Sequence, residues 1–420
     1  MRSTPLLFRS TMTALPPPRT LDDPACQAAR LLARVGVFLL FVIAQAAPIL
    51  IRQTIYVLLP VGAALLLASA AIWREPREST TVRSVLLSPP AVAVVLLAAW
   101  TGFSLAWTPF DGPGERYAKA AATLALVGVA CVFLPARTKT SNLYLLPIGA
   151  GVAAATLALV VLLTEPKYTL DNILDVGPLG RAGLGLALLV WPAMGALAVR
   201  GRWVMAGGLA VATAIACRLA EAPNALPALA AGAAVFAVSF GRPRRAAGVL
   251  AAGAAAIVLL APLAAFLVHL VWDGRAPGFL RHLAFWGAMI ANDGWRTPIG
   301  HGFGAATYGV LRGFLDPATP RSLVFQVWFD LGVIGALILA GVGARAMLAV
   351  GGLRPALAPF LLGGLATGLA VAVLGPAAEQ LWWLTLAGLD VIAFVLVMRG
   401  QFRKERPGLP LGWGEAEKAP

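Results

Sequence analysis

Long apolar runs separated by short polar stretches dominate the chain. Twelve runs can form membrane-spanning helices, since about 20 residues cross the roughly 30 Å of hydrocarbon in a bilayer. They lie at 31–50, 54–73, 88–107, 117–135, 143–163, 180–199, 203–219, 225–240, 246–271, 322–343, 355–375 and 381–398. The runs are continuously apolar, whereas membrane β-strands alternate apolar and polar residues. The pattern therefore predicts an all-α fold, a polytopic membrane bundle of about twelve transmembrane helices.

One long polar segment, residues 272–321, interrupts this pattern between the predicted helices nine and ten. His282 and His301 lie in it and His269 lies at its margin, so it holds or borders every histidine of the chain. Long loops on a rigid scaffold often carry binding and catalytic residues. We therefore expect the chemistry of the protein in this loop.

The composition is 59% hydrophobic and 12% charged, with a mean hydropathy of +0.82, which excludes a soluble globular protein. The net charge of +14 does not indicate nucleic acid, because its distribution follows membrane insertion and contact with anionic lipids. If the N-terminus is cytoplasmic, 22 of the 33 Lys and Arg residues fall on the cytoplasmic side. The sequence thus predicts a cytoplasmic segment 1–30, a transmembrane domain 31–398 with loop 272–321 in the periplasm, and a disordered cytoplasmic tail 399–420.

Cysteines and metal motifs add no site to this picture. Cys26 lies in the N-terminal segment, and Cys131 and Cys217 lie in or beside predicted helices. None falls in the long loop, so no disulfide framework is expected there. No His/Cys pattern with metal-ligand spacing occurs, so no metal is expected.

Residues 278–291 predict a short helix in the membrane interface, because apolar residues, Trp286 among them, recur at helical spacing. Its polar face presents Arg281, whose planar guanidinium suits a phosphate group. The alternative is an interfacial helix whose arginine only reaches water.

A glycine-rich turn follows at residues 298–304. Gly300, Gly302 and Gly304 permit close approach of the backbone to a ligand or a neighbouring helix. His301 inside this turn is a candidate base, and a solvated histidine in a plain loop is the alternative.

Two polar residues follow where the chain enters the tenth predicted helix. Gln326 and Asp330 are four residues apart and share one helix face. A carboxylate inside a span is costly, so Asp330 must face the bundle interior and find a partner. Whether that role is catalytic or structural is open.

Arginines in the other outward loops, Arg116, Arg181 and Arg218, are candidate ligands for an anion. Together with Arg281 they would make an electropositive pocket for a diphosphate or an acidic sugar, if the fold brings them together.

These motifs resemble the O-antigen ligase and O-antigen polymerase superfamily. The resemblance rests on Arg281 with Trp286, on Pro298-Ile-Gly-His-Gly-Phe-Gly304, and on Gln326 followed by Asp330-Leu-Gly332-Val-Ile-Gly335. The topology and the late large loop also match, but the specific motifs lie only in about 281–335.

The resemblance implies a metal- and cofactor-independent glycosyltransferase of the bacterial inner membrane that uses undecaprenyl diphosphate-linked glycan. The acceptor would be a saccharide or lipid A–core, and polysaccharide assembly proteins would be partners. Arginines would bind the diphosphate, and a loop histidine would activate the acceptor hydroxyl.

Two positions depart from the family pattern. Arg321-Ser322 stands where the family has a His-Asn pair, and Pro223-Asn224 stands where it has Ser-Arg. His301 is then the nearest spare base, and we expect Arg281, His301 and Arg321 to share one cavity. The alternatives are a non-catalytic partner in polysaccharide assembly and a twelve-helix transporter.

Overall fold

A computed structural model of the chain describes residues 23–51, 53–73, 87–135, 140–163, 177–222, 224–272, 276–278, 280–316, 319–375 and 381–400. These residues form helices joined by turns, with no β-strand element among them. Most of the predicted segment 1–30 and of the predicted tail 399–420 lies outside the described residues.

The helices of at least seven residues in this part of the chain coincide with the predicted apolar runs, with two more in the long loop. They are α1 (Pro24–Leu50), α2 (Thr54–Ile72), α3 (Pro89–Ser104), α4 (Pro113–Phe133), α5 (Leu145–Leu163), α6 (Pro178–Ala198), α7 (Trp203–Leu219), α8 (Ala225–Ser239), α9 (Pro243–Trp272), α10 (Arg281–Asp293), α11 (Ala305–Leu311), α12 (Leu323–Gly351), α13 (Ala358–Leu374) and α14 (Leu381–Met398).

Eight of these helices are long and apolar enough to cross a membrane: α1, α2, α4, α5, α6, α9, α12 and α14. The protein is therefore a helical membrane bundle. The apolar helices α3, α7, α8 and α13 have at most 17 residues, fewer than the roughly 20 that a straight crossing needs. That all twelve helices cross the bilayer stays a prediction.

Helix α1 begins seven residues before the predicted start at 31, because its first turn is well capped. The carboxylate of Asp23 accepts a hydrogen bond from the backbone N–H of Ala25 at 2.9 Å, and Pro24 occupies the first helical position. Apolar periodicity alone does not reveal such a start, because the first turns of α1 also carry exposed polar residues.

Helix α6 forms the centre of one part of the bundle and packs against α5, α7, α13 and α14. Its residues from Gly183 to Ala198 are buried, and Trp191 Nε1 donates a hydrogen bond to Thr367 Oγ1 of α13 at 2.8 Å. Helices α3, α9, α10 and α12 form a second packed group, which carries the long loop.

Helix α12 is broken near its start, and this break positions the loop. Residues Val327–Leu331 form a π-helical turn, and Gly332 then adopts φ 68° and ψ −160°. This conformation is essentially restricted to glycine. The backbone carbonyls of the π turn are consequently free to accept hydrogen bonds from outside the helix.

Trp100 of α3 satisfies one of these carbonyls, because its indole Nε1 donates to Leu331 O at 3.0 Å. Inside a membrane such a break is tolerated only where neighbouring protein groups satisfy the exposed backbone. The break therefore ties α3 to α12 as well as to the loop.

Replacing Gly332 with alanine should destabilise the protein by about 1–3 kcal/mol from backbone strain alone. A Cβ there would also lie 2.5 Å from Pro298 O. Gly343→Ala in the same helix is the control, since a Cβ at that position meets nothing within 4 Å. Thermal unfolding in detergent should show a lower Tm for Gly332→Ala only. Equal Tm values for the two variants would contradict the role of this glycine.

Candidate functional site

The glycine turn of the long loop packs directly against the break in α12. Gly300, Gly302 and Gly304 have φ values of 73°, 93° and 82°, which residues other than glycine rarely adopt. A Cβ at Gly300 would overlap the backbone of Asp330, and one at Gly302 would lie 2.6 Å from Thr108 Cα. The glycines therefore serve close backbone approach, one of the two uses that the sequence allowed.

Hydrogen bonds fix this turn along its whole length. Every backbone N–H from Ile299 to Ala306 donates to an acceptor of the protein. His301 N donates to Phe329 O at 2.8 Å, and Gly302 N donates to Asp330 O at 2.9 Å, so the turn uses carbonyls of the π turn. The loop at this point is a rigid part of the fold.

Asp330 connects the π turn to α11. Its side chain is buried, with 3% of the residue exposed. One carboxylate oxygen accepts the N–H of Gly304 at 3.0 Å and the other accepts the N–H of Ala306 at 2.8 Å. The carboxylate thus satisfies N–H groups at the start of α11, where negative charge is favoured. These contacts describe a structural partner for the buried acid.

His301 is held on three sides. Its Nδ1 lies 3.1 Å from Phe329 O and its Nε2 lies 2.9 Å from an Asp293 carboxylate oxygen. The imidazole also stacks on the Phe329 ring, with centroids 4.1 Å apart. Each of the two ring nitrogens thus lies within hydrogen-bonding distance of an oxygen of the protein. In this arrangement neither nitrogen is free to take a proton from a substrate.

A cavity of about 500 Å³ opens beside this histidine. Its wall is mostly apolar and includes Phe110, Met289, Ile290, Leu315 and Trp328. Its polar residues lie together at the end of α10 and in the loop that follows: Asn292, Asp293, Arg296, Thr297 and His301. The cavity therefore offers an apolar surface next to a small charged cluster, as ligand sites commonly do.

The far wall of the cavity depends on a proline in α9. Pro262 has no N–H, so the carbonyl of Val258 loses its helical partner. Trp328 Nε1 donates to that carbonyl at 2.7 Å. Both Pro262 and Trp328 line the cavity, so this hydrogen bond sets the distance between α9 and the π turn of α12.

Three arginines lie at the cavity or close to its Phe110 wall. Arg296 lines it directly. The Arg312 guanidinium lies 6.0 Å from the Phe110 ring, and the Arg116 guanidinium lies 4.6 Å from the ring of Tyr308, which stacks on Phe110. Three arginines from separate segments thus lie at or near one cavity.

Of the residues proposed from the sequence, His301 and Trp286 line this cavity, whereas Arg281 and Arg321 do not. Arg281 is the exposed first residue of α10. Arg321 is half-buried and directly precedes Ser322, whose hydroxyl caps α12 by accepting the N–H of Phe325 at 3.2 Å. The expectation that Arg281, His301 and Arg321 share one cavity is therefore not met at the His301 cavity.

The remaining predicted residues are dispersed. Gln326 is buried with 5% of the residue exposed, and it does not line the cavity. Arg181 is buried at a second cavity of about 40 Å³, where its guanidinium lies 5.1 Å from the Trp382 ring. Arg218 is exposed in the last turn of α7. None of the predicted arginines lines the His301 cavity, and Arg116 is connected to its wall through Tyr308 and Phe110.

Asn224 holds a structural position where the family pattern has an arginine. It adopts φ 65° before α8, and its side-chain nitrogen donates to Leu374 O at 2.7 Å. Pro223 lies outside the described residues.

Asp293, Arg296 and Phe329 are the site residues that sequence reasoning did not assign. Asp293 and Arg296 lie in the polar loop, which is the one signal that pointed to them. Asp293 and His301 are eight residues apart, and only the docked glycine turn brings them into contact.

Comparison with protein families, with curated proteins and with solved structures finds no match for this chain.

Removing the indole N–H with Trp328→Phe should cost about 1–3 kcal/mol, because the buried Val258 carbonyl then lacks a donor. Pro262→Ala restores a backbone N–H for the same carbonyl, so the double variant should recover most of that loss. Unfolding of the two single variants and the double variant gives the coupling energy. Strictly additive effects would contradict the shared carbonyl.

Asp330→Asn should lower the Tm, because an amide has one acceptor oxygen and its NH2 group would face an N–H of α11. An unsatisfied buried N–H costs about 1–3 kcal/mol. Asp293→Asn is the matched control, since the Asp293 side chain is 41% exposed and should tolerate the change. Wild-type thermal stability of Asp330→Asn would refute the capping role.

Proposed function

We propose that the chain is a membrane glycosyltransferase of O-antigen ligase type, which moves a glycan from undecaprenyl diphosphate to an acceptor saccharide. The observation that carries the proposal is the His301 cavity, where a charged cluster adjoins an apolar wall. A polyprenyl diphosphate is complementary to such a cavity, because its apolar chain can contact the apolar wall and its anionic head can contact the charged cluster.

The proposal also rests on the motifs of residues 281–335 that resemble the family. In the family topology the cavity faces the periplasm of a bacterial inner membrane, and both termini are cytoplasmic. Polysaccharide assembly proteins are partners in this proposal, and the reaction needs no nucleotide sugar, metal or other cofactor.

We assign Arg296 as the residue that binds the diphosphate leaving group, because it lines the cavity. Arg281 and Arg321, which the sequence suggested for this role, do not line it. Charge develops on the diphosphate as the glycosidic bond breaks, and a fixed guanidinium stabilises that charge. Arg116 and Arg312 add to the positive potential that attracts the donor.

Asp293 is the group that we assign as general base. Its carboxylate is 41% exposed and keeps one oxygen beyond the one that contacts His301. The acceptor hydroxyl oxygen forms a bond to the anomeric carbon, the carbon–oxygen bond to the diphosphate breaks, and its electron pair leaves with the diphosphate. The hydroxyl proton goes to Asp293, while His301 positions that carboxylate.

A second candidate, a non-catalytic partner that binds lipid-linked glycan, is favoured by the occupied nitrogens of His301. It is also favoured by Ser322, which caps a helix at a position where the family has the Asn of its His-Asn pair. Binding of the lipid-linked glycan without product would support this candidate. Uptake of free glycan by proteoliposomes without a lipid-linked donor would support a transporter.

The surface glycan of a deletion strain, complemented with single variants, tests the transferase. Asp293→Asn should lower glycan transfer by about 100-fold or more, because the hydroxyl loses its base. Arg296→Gln should also lower it, because charge on the leaving group is no longer compensated. Loss of long chains with single capped units retained would indicate a polymerase, and uncapped core would indicate a ligase.

Two matched controls remove the same charges outside the cavity: Asp316→Asn for the acid and Arg281→Gln for the arginine. Both residues are exposed and belong to the same loop region. Both variants should retain wild-type glycan. Wild-type glycan from Asp293→Asn and Arg296→Gln, with equal amounts of inserted protein, would overturn the proposal.

A further inference from the structure

Four arginines gather at the opposite end of the α9–α12 pair from His301. They come from the α8–α9 turn, from the first turn of α9 and from the segment after α12, and they line one cavity of about 600 Å³. The four are Arg242, Arg244, Arg245 and Arg354. Within the described residues none of them forms an ion pair.

The close approach of the two segments depends on Gly351. A Cβ there would overlap the side chain of Ala247 and lie 3.4 Å from Arg244 Cα. Because Gly351 has no side chain, the end of α12 can approach the start of α9, and Arg354 comes near Arg244 and Arg245. The positive charges are brought together although they repel one another.

The helices on either side of this cavity carry no carboxylate to balance the charge. No Asp or Glu occurs from Ala222 to Trp272 or from Leu331 to Ala378, which covers α8, α9, almost all of α12 and α13. Four guanidinium groups that have no carboxylate partner among the described residues form a site for an anion, and the planar guanidinium fork matches the geometry of a phosphate.

An apolar groove of about 700 Å³ begins at the same arginines. Arg242 and Arg245 line both cavities, and the groove continues between α8 and α9 as far as Ile257, with Leu369 of α13 beside it. Arg245 and Ile257 are twelve residues apart, a rise of about 18 Å along the helix. The hydrocarbon layer of one leaflet of a bilayer is about 15 Å thick, so the groove is long enough to hold an acyl chain across that layer.

We propose that this arginine cavity and groove bind an anionic glycerophospholipid. Its phosphate lies among the four arginines and one acyl chain lies along α9. A soluble phosphate compound would use the arginines and leave the apolar groove empty, whereas a phospholipid uses both. The site is separate from the His301 cavity and does not depend on the proposed function.

Native mass spectrometry of the full chain, released from nanodiscs of phosphatidylcholine mixed with phosphatidylglycerol, tests the site. The wild type should retain phosphatidylglycerol in preference to phosphatidylcholine. Arg242→Gln/Arg245→Gln should reduce that preference by about 30-fold, because each arginine contributes roughly 1 kcal/mol to the binding of an anionic lipid. Equal preference in this variant and the wild type would overturn the proposal.

The matched control removes two arginines at the same end of the bundle. Arg200 and Arg202 pack on the ring of Tyr144, and the neighbouring Trp203 contacts Phe240, which directly precedes the α8–α9 turn. Arg200→Gln/Arg202→Gln should keep the wild-type preference. An equal loss in both double variants would show general charge attraction and contradict a built site.

Gly253→Trp tests the groove while all four arginines stay in place. Gly253 lines the groove, and a Cβ there meets nothing within 4 Å, so a tryptophan at this position should take up space in the groove. Gly208→Trp on the exposed face of α7 is its control, because its Cβ also meets nothing within 4 Å. Gly253→Trp should lower phosphatidylglycerol retention and Gly208→Trp should not. Unchanged retention in Gly253→Trp, or displacement of the lipid by inorganic pyrophosphate alone, would contradict the lipid assignment.

Discussion

The backbone break in α12 is the constraint on which the site depends. A helix interrupted inside a membrane exposes carbonyls that water cannot satisfy, so protein groups must do so. Here the N–H groups of the glycine turn and the indole of Trp100 supply the hydrogen bonds. The hydrogen bonds that satisfy the carbonyls of α12 also fix the position of the glycine turn, which carries His301.

The chemistry of the cavity follows from that docking. The turn presents the His301 ring to Phe329 and to the carboxylate of Asp293, which fixes both imidazole nitrogens. In the proposed transferase the carboxylate of Asp293 is therefore the base, and Arg296, which lines the same cavity, is the cation. The family resemblance implies a histidine for the proton transfer, whereas we propose a carboxylate that a histidine positions.

The sequence predicts much of the helical fold and less of the site. Apolar runs located the helices because burial in lipid imposes a continuous pattern, and glycine spacing identified the turn because only glycine permits its backbone. The contact of Asp293 with His301 could not be predicted, since it depends on how the turn meets α12. The first turns of α1 were also missed, because the pattern of apolar residues does not show that Asp23 caps the helix. Whether the arginines of separate loops lie together could not be predicted either, because charge alone does not specify which loops meet.

Hydrogen–deuterium exchange of the glycine turn tests the central claim most directly. Every N–H from Ile299 to Ala306 has an acceptor, so a peptide covering these residues should exchange as slowly as the helical amides of α12. Exchange of this peptide within seconds, at the rate of an exposed loop, would contradict the docking of the turn on the broken helix.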